Sequence, residues 1–282
     1  KVLFPDAGIT KGDLIDYYER VAEVMLPHVR GRCVSMQRFP DGIDGEGFYQ
    51  KDASNYFPDW INTKTVEKAG GTVEHVVIEK TATLVYLADQ ACITPHTWLS
   101  RTDKLHHPDR LVIDLDPAAD DFDQVRQAAR WVRDLFEKIG LDARPMLTGS
   151  SGVHVVTPLD RSADFDTVRD FANRAMDVLA ARHPDVLTTE PRKNKRKGRL
   201  YLDTARNAYA QTAVPAYAVR VRPGAPVAVP IEWDELGHRE SGDYDVHSAP
   251  RRLSQKGDPW SDFPSRGHSI KAAFKRLEPL HP

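Results

Sequence analysis

The stretch Arg110-Leu-Val-Ile-Asp114-Leu115-Asp116-Pro117 constrains this chain more than any other segment. Its apolar run predicts a strand. Side chains alternate along a strand, so Asp114 and Asp116 share one face while Leu115 points to the other, toward a core. Two carboxylates about 6–7 Å apart on a rigid element repel each other unless cations sit between them. Hard oxygen donors of this kind suit Mg²⁺ or Mn²⁺. Pro117 ends the strand and keeps the pair at its edge. A bare Asp-x-Asp also suits a surface turn in which Asp116-Pro117 opens a helix.

A third carboxylate has a similar setting. Arg199-Leu-Tyr-Leu-Asp203 places Asp203 at the end of an alternating strand. Three carboxylates on adjacent strand ends suit two metal ions about 3.5–4 Å apart, as in phosphoryl-transfer sites. Taken alone, Asp203 also suits a cap on the turn at 205–209. Between two further strand-like runs, Arg144–Leu147 and Val153–Thr157, lies Thr148-Gly-Ser150-Ser151-Gly-Val-His154. Glycines let backbone N–H groups approach an anion, and the hydroxyls and imidazole add donors, so the loop suits a phosphate. It lacks the Gly-Lys-Ser/Thr of a Walker loop and the register of a serine-hydrolase elbow. An ordinary hairpin turn is the alternative.

Elsewhere, Thr10 precedes a helical pattern through Leu14, Tyr18, Val21, Ala22, Met25 and Leu26. Strand-like runs follow at Cys33–Phe39, Gly47–Lys51 and Val73–Ile78, and helical ones at Thr81–Gln90, Phe122–Ile139 and Phe165–Ala181. Interleaved strands and helices around a central sheet put the fold in the α/β or α+β class. No linker is visible, and the whole chain, 1–282, reads as one catalytic domain whose tail, about 249–282, is basic and irregular. The aromatic stretch holding Tyr56, Phe57 and Trp60 is expected to pack in a core, with stacking on template bases as the alternative.

No run approaches about 18 consecutive apolar residues, so no membrane partner is expected. With only Cys33 and Cys92, a disulfide framework and a Cys-based zinc site are excluded, and a reducing cytoplasm is expected. The start, Lys1-Val-Leu-Phe-Pro5, has no long apolar core of a signal peptide. The formal net charge of −2 speaks against a nucleic-acid partner only on average. Arg192-Lys193-Asn-Lys195-Arg196-Lys197-Gly-Arg199 holds six cations and no anion, and the tail from Pro250 holds seven cations against three anions. These two segments carry a net +10 against −12 on the other 241 residues. Such segregation is the footprint of a DNA or RNA binder, though a charge run is also an ordinary solvated loop.

Taken together, these motifs resemble the archaeo-eukaryotic primase superfamily, and within it the polymerase domain of bacterial ATP-dependent DNA ligase D and the stand-alone bacterial primase-polymerases. The resemblance runs through most of the chain. Lys1–Pro5 with Thr10–Tyr18 is similar to the family's opening. Leu26–Arg32, Gly47–Lys51, His96-Thr-Trp98, Asp114-Leu-Asp116-Pro, Ser150–His154, Asp203, Val214–Arg220 and Pro230–Leu236 follow in order. It implies a primase-type fold, with central antiparallel or mixed sheets forming a catalytic cleft flanked by helices. It implies a template-directed nucleotidyltransferase that extends a primer 3′-OH with ribo- or deoxyribonucleotides, filling short gaps or ends in DNA repair such as non-homologous end joining.

The resemblance also implies roles. Asp114, Asp116 and Asp203 would be the catalytic carboxylates holding two Mn²⁺ or Mg²⁺ ions. Ser150, Ser151, His154 and Arg220 would hold the nucleoside triphosphate, with Lys51 and His96 lining its pocket. Lys1 and Lys11 would grip the 5′-phosphate of a downstream strand. Arg192, Lys193, Lys195, Arg196 and Lys197 would flank the DNA groove. Family members often carry Lys where this chain has Ser151, which weakens the expected hold on the triphosphate. Implied partners are gapped or broken DNA, nucleoside triphosphates, an ATP-dependent DNA ligase and Ku, for a monomer in the cytoplasm near the nucleoid. The chain has no ligase or nuclease module, which fits either a stand-alone enzyme or an excised domain. The three carboxylates alone would equally serve a two-metal nuclease, and a non-catalytic DNA-binding module is the third reading.

Overall fold

The computed structural model describes residues 1–117 and 121–280. A short antiparallel pair, β1 (Val2–Phe4) and β2 (Ile9–Thr10), leads into helix α1 (Lys11–Val29). Thr10 and Asp13 form a reciprocal capping box at its start. The face carrying Leu14, Tyr17, Tyr18, Val21, Met25 and Leu26 is buried. Tyr18 is tied twice into the core: its hydroxyl donates to Ile93 O at 2.6 Å and accepts from Val219 N at 3.1 Å.

Two six-stranded sheets follow. The first contains β3 (Arg32–Arg38), β4 (Phe48–Gln50), β5 (Thr63–Lys68), β6 (Gly71–Ile78) and β7 (Cys92–Trp98), with α2 (Thr81–Asp89) between the last two. The second is built on β8 (Arg110–Asp116), with α3 (Phe122–Lys138), β9 (Arg144–Leu147), β10 (Val153–Pro158), α4 (Phe165–Arg182), β11 (Leu187–Thr188) and β12 (Leu200–Asp203) after it. The short β13 (Thr212–Ala213) returns to the first sheet, and β14 (Val229–Pro230) completes the second. The orders are β13-β7-β3-β6-β5, with β4 beside β3, and β11-β12-β8-β10-β9-β14. Every pairing is antiparallel except β11 with β12. Leu111-Val112-Ile113 of β8 are continuously apolar because both faces of the strand are covered as far as Leu115. α3 presents Val125, Ala128, Ala129, Val132, Leu135 and Phe136 to the core at helical spacing.

Where β12 leaves β8, a side chain takes over the ladder. Asn207 accepts from Val112 N (2.9 Å) and donates to Val112 O (2.6 Å).

Two expectations are corrected. The segment 249–282 is not irregular. Among its described residues lie α5 (Ser248–Lys256) and α6 (Ile270–Leu277). Ile270, Ala273 and Leu277 are buried while Lys271, Lys275 and Arg276 face outward, so high charge hid a short amphipathic helix. Trp260 and Phe263 are buried against His28. Asp258 pins the connection, accepting from Tyr217 Oη (2.7 Å) and pairing with His28 Nε2 (3.1 Å). Second, Tyr56 and Trp60 do not enter a core. They are 62% and 41% exposed, while Phe57 is half-buried against Tyr86. Among the described residues no helix is long and apolar enough to cross a membrane. Both cysteines are free and buried.

Candidate active site

Strand register sets out the site. On β8, Asp114 faces His154 of β10 on one side and Asp203 of β12 on the other. Directly opposed residues on neighbouring strands project to the same face, so Asp203, Asp114 and His154 form one row. Asp116 lies two residues on, on the same face, opposite Tyr201. Asp114 is buried; Asp116, at the strand's last position, is exposed.

The partners of these carboxylates differ. Asp114 meets His154 Nε2 at 3.3 Å and Arg206 Nε at 3.5 Å. Burial pushes its carboxyl up, but these neighbours outweigh it and hold the pKa below the usual carboxylate range. Asp116 is the reverse case. Burial and the Asp114 charge push it up, and Ser151 Oγ, donating to Oδ1 at 2.9 Å, offsets only part. Asp203 accepts from Ala205 N at 2.7 Å, so it also makes the turn-capping contact that its position allows.

The Gly/Ser loop closes over this strand end. Its two ends are tied, Thr148 N donating to Gly152 O at 3.1 Å. Ser241, buried and distant in sequence, donates to Gly152 O (2.8 Å) and accepts from Ser150 N (3.2 Å). Gly152 lies so close that a Cβ there would overlap the Leu115 carbonyl and crowd Asp116. Gly149 has φ +67°, and a Cβ would press on the Val227 backbone. Arg220 Nη1 donates to Thr148 O at 2.6 Å, which holds the guanidinium beside the loop.

The result is one cavity of about 330 Å³ that contains Asp114, Asp116, Ser150, Ser151, His154, His96 and Arg220 among its walls. His96 sits against Gln37 Oε1 (3.2 Å). Burial, and then the charges of Arg220 and Arg206, push its pKa down to about 3, so the ring is neutral near pH 7; its one N–H is directed at Gln37 Oε1, which leaves the other ring nitrogen as an acceptor. The structure adds residues that the motifs did not single out: Arg206, Arg222 and Tyr49 also line the cavity, and Tyr49 packs on His96 with ring centroids 5.7 Å apart. Arg206, three positions past Asp203, had a signal in the sequence. Tyr49 lay within the Gly47–Lys51 motif without being singled out, and Ser241 had no signal, because a long return brings it in.

The remaining predicted residues lie outside this cavity. Lys51 is exposed and lines an adjoining groove of about 590 Å³, which shares Tyr49 and Thr212 with the first. Lys1 and Lys11 stand side by side, with Lys11 N bonded to Lys1 O at 2.8 Å. Each ammonium is paired, Lys1 with Asp41 and Lys11 with Asp89 (2.8 Å). In the basic run, Lys193 and Lys195 belong to a short 3-10 turn, and Arg192, Lys193, Lys195 and Lys197 are exposed. Arg196 is turned inward: it donates to Pro191 O (2.7 Å) and stacks on Tyr201, 4.2 Å from the ring centroid. That stacking fixes the basic loop to the strand beside Asp116.

The aspartates fit a hard divalent cation by donor type and by placement. The pKa of Asp116 is raised first by burial and then by the Asp114 charge, and a bound cation would oppose both. As the side chains stand, however, no three His, Cys, Asp or Glu among the described residues close into a metal cage. Asp203 is turned to Ala205, and Asp114 to His154 and Arg206.

The family model described as LigD, primase-polymerase domain, matches residues 10–260. This chain belongs to that family. The multifunctional non-homologous end joining DNA repair protein LigD of Mycobacterium tuberculosis is 32% identical over 298 residues, covering 99% of this chain and 39% of the relative. The LigD protein of Pseudomonas aeruginosa is 32% identical over 280 residues, covering 98% and 33%. This chain therefore spans between a third and two fifths of those LigD proteins. A solved structure described as the polymerase domain of M. tuberculosis ligase D in complex with DNA superposes with a TM-score of 0.89 at 31% identity, over 95% of this chain and 96% of that one. The mixed α+β fold expected from the primase resemblance is thus the LigD polymerase-domain fold.

Proposed function

We propose that this LigD-family chain is a template-directed nucleotidyltransferase that extends a primer 3′-OH at gaps and broken ends of DNA. One observation carries the reading: a carboxylate pair, one member of which is raised by burial and by the charge of the other, shares a single cavity with a Gly/Ser loop and Arg220. A nuclease needs the first half of that arrangement but not a cradle for a triphosphate.

Asp114, Asp116 and Asp203 would hold Mn²⁺ or Mg²⁺, two ions at full occupancy; when bound, these neutralise phosphate charge and lower the pKa of the attacking hydroxyl. The protein's own groups do the rest. Arg220, anchored through one nitrogen to Thr148 O, keeps other N–H groups of its planar fork for phosphate oxygens. Ser150, Ser151 and His154 add donors from the loop and from β10. Neutral His96, its N–H held by Gln37 Oε1, offers the other ring nitrogen as an acceptor for a hydroxyl of the nucleotide. Tyr49, 60% exposed, is free to stack against the incoming base or sugar. Holding both reactants in line is the main task of such a site.

Outside the cavity, Lys51 extends the pocket toward the adjoining groove. Lys1 and Lys11 would exchange their aspartate partners for the 5′-phosphate of a downstream strand. Arg192, Lys193, Lys195 and Lys197 would lie along the DNA backbone, with Arg196 as the anchor of their loop, so affinity should weaken steeply with salt. An ATP-dependent DNA ligase activity and Ku are the proposed partners in end joining.

The test is primer extension on gapped DNA bearing a 5′-phosphate, with Mn²⁺ and ribo- or deoxyribonucleoside triphosphates. Wild type should extend. Asp114→Ala should lose at least about 10³-fold, or roughly 4 kcal/mol of transition-state stabilisation. Labelled DNA with Mn²⁺ and no nucleotide should stay intact; cleavage would replace this reading with a nuclease.

A further inference from the structure

The other end of β8 holds a second charged cavity that the reading above leaves unused. It opens between the end of α1, the start of β8, the end of β10 and the C-terminal segment, and measures about 420 Å³. Arg30, Arg101, Arg110 and Arg161 line it, and among the described lining residues Asp109 is the one carboxylate.

Some of this positive charge is structural. The last carbonyls of a helix have no partner within it. Here Arg101 donates to Arg30 O (2.6 Å) and Pro27 O (3.1 Å), while Arg32 (2.9 Å) and Arg110 (3.2 Å) both donate to His28 O. Arg32, Arg101 and Arg110 also share the single carboxylate of Asp109. Arg161 is gripped by Asp103 at 2.9 and 2.7 Å.

The tally still leaves a surplus. Five guanidiniums (Arg30, Arg32, Arg101, Arg110 and Arg161) meet two carboxylates (Asp103 and Asp109). The α1 carbonyls, a partial negative charge, offset only part of the difference. The crowding is felt: burial, and next the charge of Arg110, push Arg32 down to about 9. Donors also remain unused. Arg161 Nε is buried with no partner among the described residues. Arg30 spends its Nε on Glu79 O (3.1 Å), and its terminal nitrogens have no partner among the described residues. Arg161 holds φ +61°, a left-handed conformation that a side chain adopts at a cost, so its placement is imposed by its surroundings.

We propose that this cavity binds an anion of the phosphate class through Arg30, Arg110 and Arg161, against an apolar wall of Pro158, Leu159 and Phe263. A planar fork suits tetrahedral oxyanions, and an anion here relieves the mutual repulsion of the guanidiniums. A free phosphate or pyrophosphate and a backbone phosphate of bound DNA present the same chemistry, and the test separates them. Nothing in this cavity depends on what the aspartates do at the opposite end of the strand.

Thermal unfolding of the full chain is compared in pyrophosphate and in chloride at matched ionic strength. The proteins are wild type, Arg220→Ala, Arg30→Gln and the double variant Arg30→Gln/Arg161→Gln. DNA affinity is measured in parallel as a function of salt. The expected result is a pyrophosphate-dependent rise in Tm that survives Arg220→Ala and falls by at least half in the double variant. Arg30→Gln, at an exposed position outside the Asp109 cluster, should weaken it in part and guards against misfolding of the double variant. If the occupant is a DNA phosphate, the slope of log affinity against log salt also drops, by about one for the double variant. A lost Tm shift with an unchanged slope assigns a free anion. No difference between wild type and the Arg30 variants in either measurement overturns the proposal, as does a Tm shift abolished by Arg220→Ala alone.

Discussion

The two ends of β8 solve opposite electrostatic problems within seven residues. At the Asp116 end, two carboxylates share one face and part in their pKa: His154 and Arg206 hold Asp114 below its ordinary value, while burial and the Asp114 charge raise Asp116 above its own. At the Arg110 end, one carboxylate serves three guanidiniums, and attraction by Arg32 and Arg110 overcomes the burial that would raise Asp109, pulling it far below that range. The first leaves a carboxyl, Asp116, whose charged form a cation from solvent would stabilise, as suits the proposed uptake of ions and substrate. In the second, the Asp109 ion pairs are made within the protein and anchor the end of α1, while the surplus guanidinium charge beside them is what an anion would answer. Perturbed charge therefore marks both places, and what sets the first apart is a raised carboxyl, Asp116, beside a lowered one, Asp114.

Substitutions at the two ends should separate these roles. The largest effect on stability is expected from Asp109→Asn. It leaves Arg32, fully buried, without its counter-ion, and breaking such a pair costs about 3–5 kcal/mol. Urea denaturation at pH 7 should show that loss; a change under about 1 kcal/mol would mean that the α1 carbonyls suffice. A smaller effect of opposite sign is expected at the other end. Asp116→Asn removes half of the repelling pair, so the protein in EDTA should melt at or above the wild-type temperature while extension activity collapses. A lower Tm would mean that Asp116 is a structural residue. The smallest effect lies in pH. The depressed pKa of Asp109 gives stability that is present above its ordinary value of 3.8 and is lost as pH falls through the folded value. The stability gap between wild type and Asp109→Asn should thus stay level from pH 8 to about 5 and narrow below about 4.

What the sequence showed about these ends was equally unequal. Asp114, Asp116 and the Gly/Ser loop were legible because two-residue alternation and a glycine turn are local rules, obeyed whatever the rest of the chain does. Asp203 needed the register of β12 against β8 to join them. The Asp109 cluster was invisible: its arginines come from β3, β8 and the turn after β7, and each alone reads as a surface cation. The fold class followed from the interleaved elements, but the two-residue strands β11, β13 and β14 carry too few side chains to show a period. Tyr56 and Trp60 were misplaced for a related reason. Aromatic content predicts burial only on average, and here both rings stay at the surface, with Lys80 lying 4.9 Å over Trp60. The tail was misread because lysines and arginines on the outer face of α6 outweighed its narrow apolar stripe.

The Asn207 carboxamide is, chemically, a peptide group detached from any main chain. It stands where residue 205 of a longer β12 would pair with Val112, and it returns both bonds that a strand would make. The edge of β8 is thereby sealed at the point where the backbone turns away. An open edge is a template for any extended peptide, including a second copy of this protein. Here the stretch of β8 that β12 leaves uncovered offers no rung at Val112 on which another polypeptide could begin to add a strand.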